Sequence, residues 1–180
     1  RRESKSGVGH TAFEVEVCDN ECVAAKRRDF TMNAIMVNIF NNDVLDFYNG
    51  QKDIQSKTIR HIDNVTFVED SLRTLRAMQF SARFAFKISN ETICLIEKIS
   101  ISDLSKERIR NEFVKMFNAD FLHFGLYYFY RLGIATQLGF PSLKFQDFVA
   151  LRRFFKSAFV LKSQRRYLFC FALHQVLHLK

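Results

Sequence analysis

The sequence predicts an α+β chain in which strands and short helices up to about residue 62 give way to an all-helical remainder. Three observations carry this. Residues 11–17 alternate Phe13, Val15 and Val17 with Glu14 and Glu16, the period of a half-buried strand. Residues 34–47 hold two apolar runs, 35–40 and 44–47, hinged at Asn41-Asn42; asparagine tolerates left-handed backbone angles, so the segment reads as a β-hairpin. Beyond about residue 66 strand signals stop and apolar residues recur at helical spacing.

Each element follows in order. Asp19 or Asn20 can cap a short helix that runs into Lys26-Arg27-Arg28. Helices are expected at 70–84, 90–98 and 105–118, the last with Ile109, Phe113, Met116 and Phe117 on one face. A further helix at 122–132 meets a stop signal in Gly133. Pro141 then separates the segment 144–180, which reads as two more helices. The chain has 21 phenylalanines and no tryptophan. Phenylalanine at helical spacing is a packing residue far more often than a stacking platform, so most belong to the core. Exposed ones among the arginines of 152–166 are candidate base contacts.

Net charge is +8, and residues 144–180 hold eight Lys or Arg against the single acid Asp147. That balance suits a polyanionic partner, with Arg152, Arg153, Arg165 and Arg166 as the contact candidates, though by itself it does not name RNA. Cys18, Cys22, Cys94 and Cys170 lack a repeated metal-ligand spacing and read as reduced, mostly buried thiols of a cytoplasmic protein. His174 and His178 are four apart, but Gln175 stands where a metalloprotease helix needs its general base, so no metal site is expected there. No run approaches the roughly 18 apolar residues of a membrane span. The first residue is not Met, and the chain is read as a fragment.

The most informative stretch is Lys26-Arg27-Arg28-Asp29-Phe30-Thr31-Met32-Asn33-Ala34-Ile35-Met36. Adjacent guanidiniums can grip a polyphosphate, while the carboxylate and amide can orient a sugar or the loop itself. This string strongly resembles the RRDFTxNA motif of the tRNA nucleotidyltransferase and bacterial poly(A) polymerase family, class II template-independent polymerases that add CCA or A to RNA 3' ends. Arg1-Arg2-Glu3-Ser4, Gly7-Val8-Gly9-His10 and Phe13-Glu14-Val15-Glu16-Val17 look like the family's preceding segment and strand. Asp46-Phe47-Tyr48-Asn49-Gly50-Gln51-Lys52-Asp53-Ile54 is similar to its D-P-F-G-G-x-x-D-L element. Glu69-Asp70-Ser71-Leu72-Arg73-Thr74-Leu75-Arg76 and Glu107-Arg108-Ile109-Arg110-Asn111-Glu112-Phe113 follow in family order. The resemblance implies the C-terminal part of a nucleotidyltransferase head at 1–62, a helical neck at 63–119 and an incomplete, RNA-binding helical body at 120–180.

At roughly 100° per residue, Arg73, Arg76 and Arg83 share a stripe with Glu69, Asp70 lies at its edge, and Leu72, Leu75 and Ala82 turn away. For an arbitrary helix this is a solvated face with internal ion pairs. In the resembling family the E-D-x-x-R element is a protein template that reads the incoming base. Asp and Arg suit that task. Cytosine and adenine each present an exocyclic amine donor beside a ring-nitrogen acceptor, whereas guanine and uracil reverse both groups and would leave buried partners unpaired. Asp70 and Arg73 are therefore expected to accept CTP and ATP, with Glu69 beside them. Arg76 corresponds to a phosphate ligand, while Gln79 replaces a further family arginine, for which Arg83 is a stand-in.

By the same correspondence Arg28 is the preferred phosphate ligand of the RRD motif and Arg27 the second. Asp29 either holds the ribose hydroxyl or braces Arg28, and Asn33 bonds the local turn. Arg108 and Glu112, at i and i+4, suggest a brace for the neck. Nucleotidyl transfer of this kind uses Mg²⁺, held in the family by an Asp-x-Asp pair after a Gly-Gly loop. Nothing in the chain resembles that pair. Glu16 is either a third carboxylate or a surface strand residue, so the polypeptide alone is expected not to catalyse. The resemblance leaves open addition of CCA to tRNA, poly(A) synthesis, or A-only or CC-only addition. A non-catalytic RNA-binding half of a split enzyme, or a homo-oligomer, is compatible with the same residues.

Overall fold

A computed structural model describes residues 4–5, 13–14, 20–140, 144–157 and 161–170. Its architecture is the expected α+β one. Strand β1 (Ser4–Lys5) pairs antiparallel with β2 (Phe13–Glu14), Lys5 opposite Phe13. The rest of the strand expected at 11–17, including Glu16, lies outside the described residues, as do Cys18, His174 and His178. Helix α1 (Glu21–Lys26) begins where Asn20 accepts the backbone N–H of Val23 at 3.1 Å, so Asn20 and not Asp19 is the cap. The expected hairpin is β3 (Met36–Val37) against β4 (Val44–Leu45), with Asn42 at φ 60° in its turn.

Helix α2 (Gly50–Gln55) starts from Asn49 at φ 58°, a conformation asparagine tolerates, and Asp46 accepts the N–H groups of Gly50 and Gln51 at 2.7 and 2.9 Å. A Cβ at Gly50 would lie 2.4 Å from the Thr31 carbonyl oxygen, so only glycine lets α2 approach the loop before it this closely. Strand β5 (Thr58–Ile59) and α3 (Asn64–Val68) complete the first half.

The helical half contains α4 (Leu72–Phe84), α5 (Asn90–Ile96), α6 (Lys106–Phe117), α7 (Leu122–Arg131), α8 (Ile134–Gln137) and α9 (Phe145–Ser157). Residues 165–170 are also helical. Gly133, at φ 67°, terminates α7 as its position suggests. The segment 63–119 is not wholly helical: β6 (Lys87–Ile88) pairs parallel with β5 and stitches the two halves together. A two-residue strand is too short to show an alternating pattern, which is why the sequence hides it. The cysteines also differ from expectation. Cys22, Cys94 and Cys170 are free and exposed, each on the outer face of its helix.

Phenylalanine fills the core as expected. Phe30 packs edge-on against Phe67 and Phe80, with ring centroids 5.7 and 5.8 Å apart. Phe129 meets Phe113 at 5.4 Å and Phe148 at 5.7 Å, joining α7 to α6 and α9. At the crossing of α4, α6 and α7 stands Gly125, where a Cβ would approach Met116 Cγ at 2.7 Å and Ala82 Cβ at 2.9 Å. Gly125→Ala is therefore expected to lower stability despite alanine's better helix propensity, by about 1–3 kcal/mol of overpacking strain. A reduced denaturation midpoint at constant m-value is the measurement, and an unchanged or higher midpoint would contradict the crossing.

Candidate functional site

The loop after α1 is held from three directions. Asp29 is 7 % exposed; its Oδ1 accepts the Phe30 N–H and the Asn33 side-chain amide, both at 2.9 Å. Its Oδ2 accepts Arg76 Nε at 2.6 Å across from α4. Phe30 plugs the core with no exposed surface. Thr31 donates its hydroxyl to Asp53 Oδ2 at 2.7 Å and its N–H to the Arg60 carbonyl at 2.9 Å, and Arg60 Nε lies 3.4 Å from Asp53 Oδ1. The RRD loop, the α2 element and α4 are thus one bonded unit.

Arg73 supplies the second fastening. Its Nη1 donates to the Thr66 carbonyl at 2.7 Å and its Nη2 to the Arg27 carbonyl at 2.8 Å. Desolvation lowers its pKa, and nearby Asp29, Asp70 and Glu69 oppose that shift. The carbonyl at Thr66 is fixed in turn by α3, which Asp63 caps by accepting the Thr66 N–H at 2.9 Å. That backbone bond, aided by Lys26 at 3.2 Å, holds the Asp63 carboxyl below its usual pKa against the opposing effect of burial.

At the start of α4, Asp70 Oδ1 accepts the Leu72 N–H at 3.2 Å and Arg108 Nη2 at 3.3 Å. Two expected braces change partners. Asp29 braces Arg76 instead of Arg28, and Arg108 reaches Asp70 while Glu112 takes Lys115 at 2.7 Å. The role of Arg108 beside Asp70 carried no sequence signal beyond its motif, because the contact joins residues 38 apart. Asn33 does bond its own turn.

The nucleotide candidates therefore converge. Arg27, Asp29, Asp70, Arg73 and Arg76 are half-buried or buried around the junction of loop and helix, with Glu69 and Arg28 exposed at its rim. The Arg28 side chain has no hydrogen-bond or ion-pair partner among the described residues. Arg76 spends only Nε on Asp29 and lies 4.9 Å over the Phe80 ring, which fixes its fork and leaves the two terminal amino groups for an anion. Gln79 is 4 % exposed and faces the core, whereas Arg83 is exposed over Phe84 at 5.1 Å.

The basic C-terminal set splits. Arg152 and Arg166 are exposed and lie over Tyr127 and Tyr167 at 5.4 and 4.7 Å, and Arg153 is exposed beside Arg152. Arg165 is half-buried and donates Nη1 to the Ala119 carbonyl at 2.5 Å, just past the end of α6. Among the described residues no group of His, Cys, Asp and Glu is placed to hold a metal ion, and no helix is long and apolar enough to cross a membrane.

Comparison with known proteins agrees with this geometry. Residues 2–60 match the family model "Poly A polymerase head domain", and residues 85–146 match "Probable RNA and SrmB-binding site of polymerase A". A CCA-adding enzyme of Francisella tularensis subsp. novicida is 38 % identical over 127 residues, covering 66 % of this chain and 34 % of its own length. The chain spans about a third of the length of the curated relatives it matches. The Bacillus stearothermophilus CCA-adding enzyme in complex with CTP superposes with TM-score 0.73 at 25 % identity, covering 87 % of this chain and 40 % of that one. The Thermotoga maritima CCA-adding enzyme complexed with tRNA gives TM-score 0.64 at 25 % identity, covering 74 % and 35 %.

The split among the C-terminal arginines yields a test. If this segment meets RNA through phosphates, Arg166→Ala should weaken binding across sequences and flatten the log–log salt dependence by up to about 0.7–0.9 of a unit per lost phosphate contact. Arg165→Ala should instead lower stability by about 1–2 kcal/mol, through loss of a charged donor at the end of α6, and leave the slope alone. Titrations at several salt concentrations beside thermal melts separate the two; a slope change confined to Arg165→Ala would reverse the assignment.

Proposed function

The chain belongs to the family of poly(A) polymerase head domains and CCA-adding enzymes, and on that premise we propose that it is the base-reading part of an RNA 3'-end nucleotidyltransferase that adds C and A to tRNA from CTP and ATP. The observation that carries this reading is the double fastening of the RRD loop to α4 by Arg73 and Arg76. This arrangement supports a reading in which Asp70 and Arg73 meet the base's pairing edge one turn away from the Arg76 fork, which would meet the phosphates.

The chemistry follows from donor counts. On this reading the Asp70 carboxylate, which accepts the Leu72 N–H and Arg108 Nη2 at Oδ1, takes the exocyclic amine of cytosine or adenine. Arg73 uses two of a guanidinium's five donors on backbone carbonyls and retains others for the ring nitrogen. Arg76 and Arg28 then meet the triphosphate, and Asp29 orients Arg76 through Nε. Arg152, Arg153 and Arg166 offer stacked or exposed guanidiniums to the RNA backbone.

Two Mg²⁺ ions would activate the 3' hydroxyl and clamp the leaving pyrophosphate. The described residues include no donor set that fits them, and Glu16 lies outside those residues, so the part played here is binding and selection. A poly(A)-adding reading uses the same Asp70–Arg73 pair and is supported by the match of residues 2–60 to poly(A) polymerase head domains. The ratio of CTP to ATP incorporation on tRNA lacking its 3' end separates them.

In the full-length enzyme, Asp70→Ala should cut discrimination of CTP and ATP over UTP and GTP by about ten- to a hundred-fold, as expected for one base-edge bond to a charged group. Arg76→Ala should weaken all four nucleotides alike. The comparison uses kcat/KM for each nucleotide with one primer. Equal loss for every nucleotide with Asp70→Ala would make the stripe from Glu69 to Arg83 purely structural.

A further inference from the structure

Three buried polar atoms in the seam between α4 and α6 find no hydrogen-bond partner among the described residues: Thr74 Oγ1, Arg108 Nη1 and Glu112 Oε2. Thr74 has no exposed surface and Glu112 is 3 % exposed. They stand together because the two helices run in the same direction. Asp70 bonds Arg108 at one end of the seam, and at the other Gly125 faces both Ala82 of α4 and Met116 of α6. Thr74 lies one turn beyond Asp70, and Glu112 one turn beyond Arg108, so they sit level with each other on facing sides.

Leaving three such groups dry is unfavourable, because each gives up its hydration with no protein partner in return. The other oxygen of Glu112 is occupied by Lys115, and the other terminal nitrogen of Arg108 by Asp70. A threonine hydroxyl, a guanidinium N–H and a carboxylate oxygen are a complementary set for a single enclosed water, which needs about three polar partners.

We propose that Thr74 and Glu112 are positioning residues for base selection, holding through one shared water the guanidinium of Arg108 that fixes the Asp70 carboxylate. The water accepts Arg108 Nη1–H, donates one hydrogen to Glu112 Oε2 and shares its second bond with Thr74 Oγ1. The bond of Arg108 to Asp70 is long, at 3.3 Å, and shares Oδ1 with the Leu72 N–H. The anchoring of that guanidinium is thus one of the contacts that set the direction in which the carboxylate faces a base. Neither Thr74 nor Glu112 touches the nucleotide.

This inference rests on the base-reading role of Asp70, and its test keeps the two apart. Thr74→Val removes the hydroxyl at constant shape, and Thr74→Ser keeps it. In the full-length enzyme Thr74→Val should relax discrimination of CTP and ATP over UTP and GTP by about three- to tenfold, the effect of one lost neutral hydrogen bond, while Thr74→Ser stays near the unsubstituted value. Glu112→Gln should move selectivity in the same direction. If Asp70→Ala alters selectivity and Thr74→Val does not, whatever its melting temperature, the positioning role is wrong and the base-reading role stands. If Asp70→Ala leaves selectivity intact, both fall. A crystal structure of the unsubstituted chain gives a readout that does not depend on how variants fold. Density for one water within hydrogen-bond reach of all three atoms is expected, and a direct Thr74–Glu112 bond with no water overturns the proposal.

Discussion

A guanidinium keeps its charge inside a protein, so a buried arginine must be surrounded by acceptors. Arg73 meets that requirement with two backbone carbonyls, one from the RRD loop and one from α3, and with three acids whose charges oppose its desolvation. Much of the site follows. Because a carbonyl of Arg27 and a carbonyl of Thr66 must both face the same guanidinium, the loop, α3 and the start of α4 have fixed mutual positions. One turn later Arg76 repeats the arrangement with the Asp29 carboxylate. Two arginines on one helix stripe thereby order the loop.

The sequence carried the local part of this arrangement and not the long-range part. Asn20 as a cap, the turn at Asn42, the stop at Gly133 and the amide of Asn33 folding back on its own turn are decided within a few residues. The choice of ion-pair partners is not. Arg108 and Glu112 have the spacing of a helical pair, but such a pair is worth only about 0.2–0.5 kcal/mol. Packing of α6 against α4 outweighs that and delivers Arg108 to Asp70. Asp29 likewise bonds across to Arg76 and not along the chain to Arg28. The β5–β6 pairing joins residues almost thirty positions apart in two-residue strands, a contact for which no periodicity exists.

The α2 element explains why motif spacing matters physically. Asp46 caps the helix, Asn49 makes the left-handed turn into it, Gly50 leaves room for the Thr31 carbonyl, and Asp53 one turn on receives the Thr31 hydroxyl. Each residue solves a different geometric problem of pressing one helix against one loop. Asparagine in place of glycine at position 49 is tolerated because its problem is a backbone angle. Alanine at position 50 would not be, because there the problem is space.

The formal charge of +8 overstates what a polyanion would meet. Among the described basic residues of the C-terminal segment, Lys162 is paired with Asp120 at 2.5 Å and Arg165 is spent on a carbonyl beyond the end of α6. Arg152 and Arg166 remain exposed, and each lies over a tyrosine ring. A ring beneath a guanidinium restricts its motion; Arg166 also donates Nη2 to the Tyr167 hydroxyl at 2.9 Å, and its remaining N–H groups can meet a phosphate. A lysine ammonium at the same place would keep the charge and lose that fixed plane. The surface available to a polyanion is therefore set by which arginines stack on aromatic rings and which are consumed by backbone carbonyls, a distinction that charge counting along the sequence does not make.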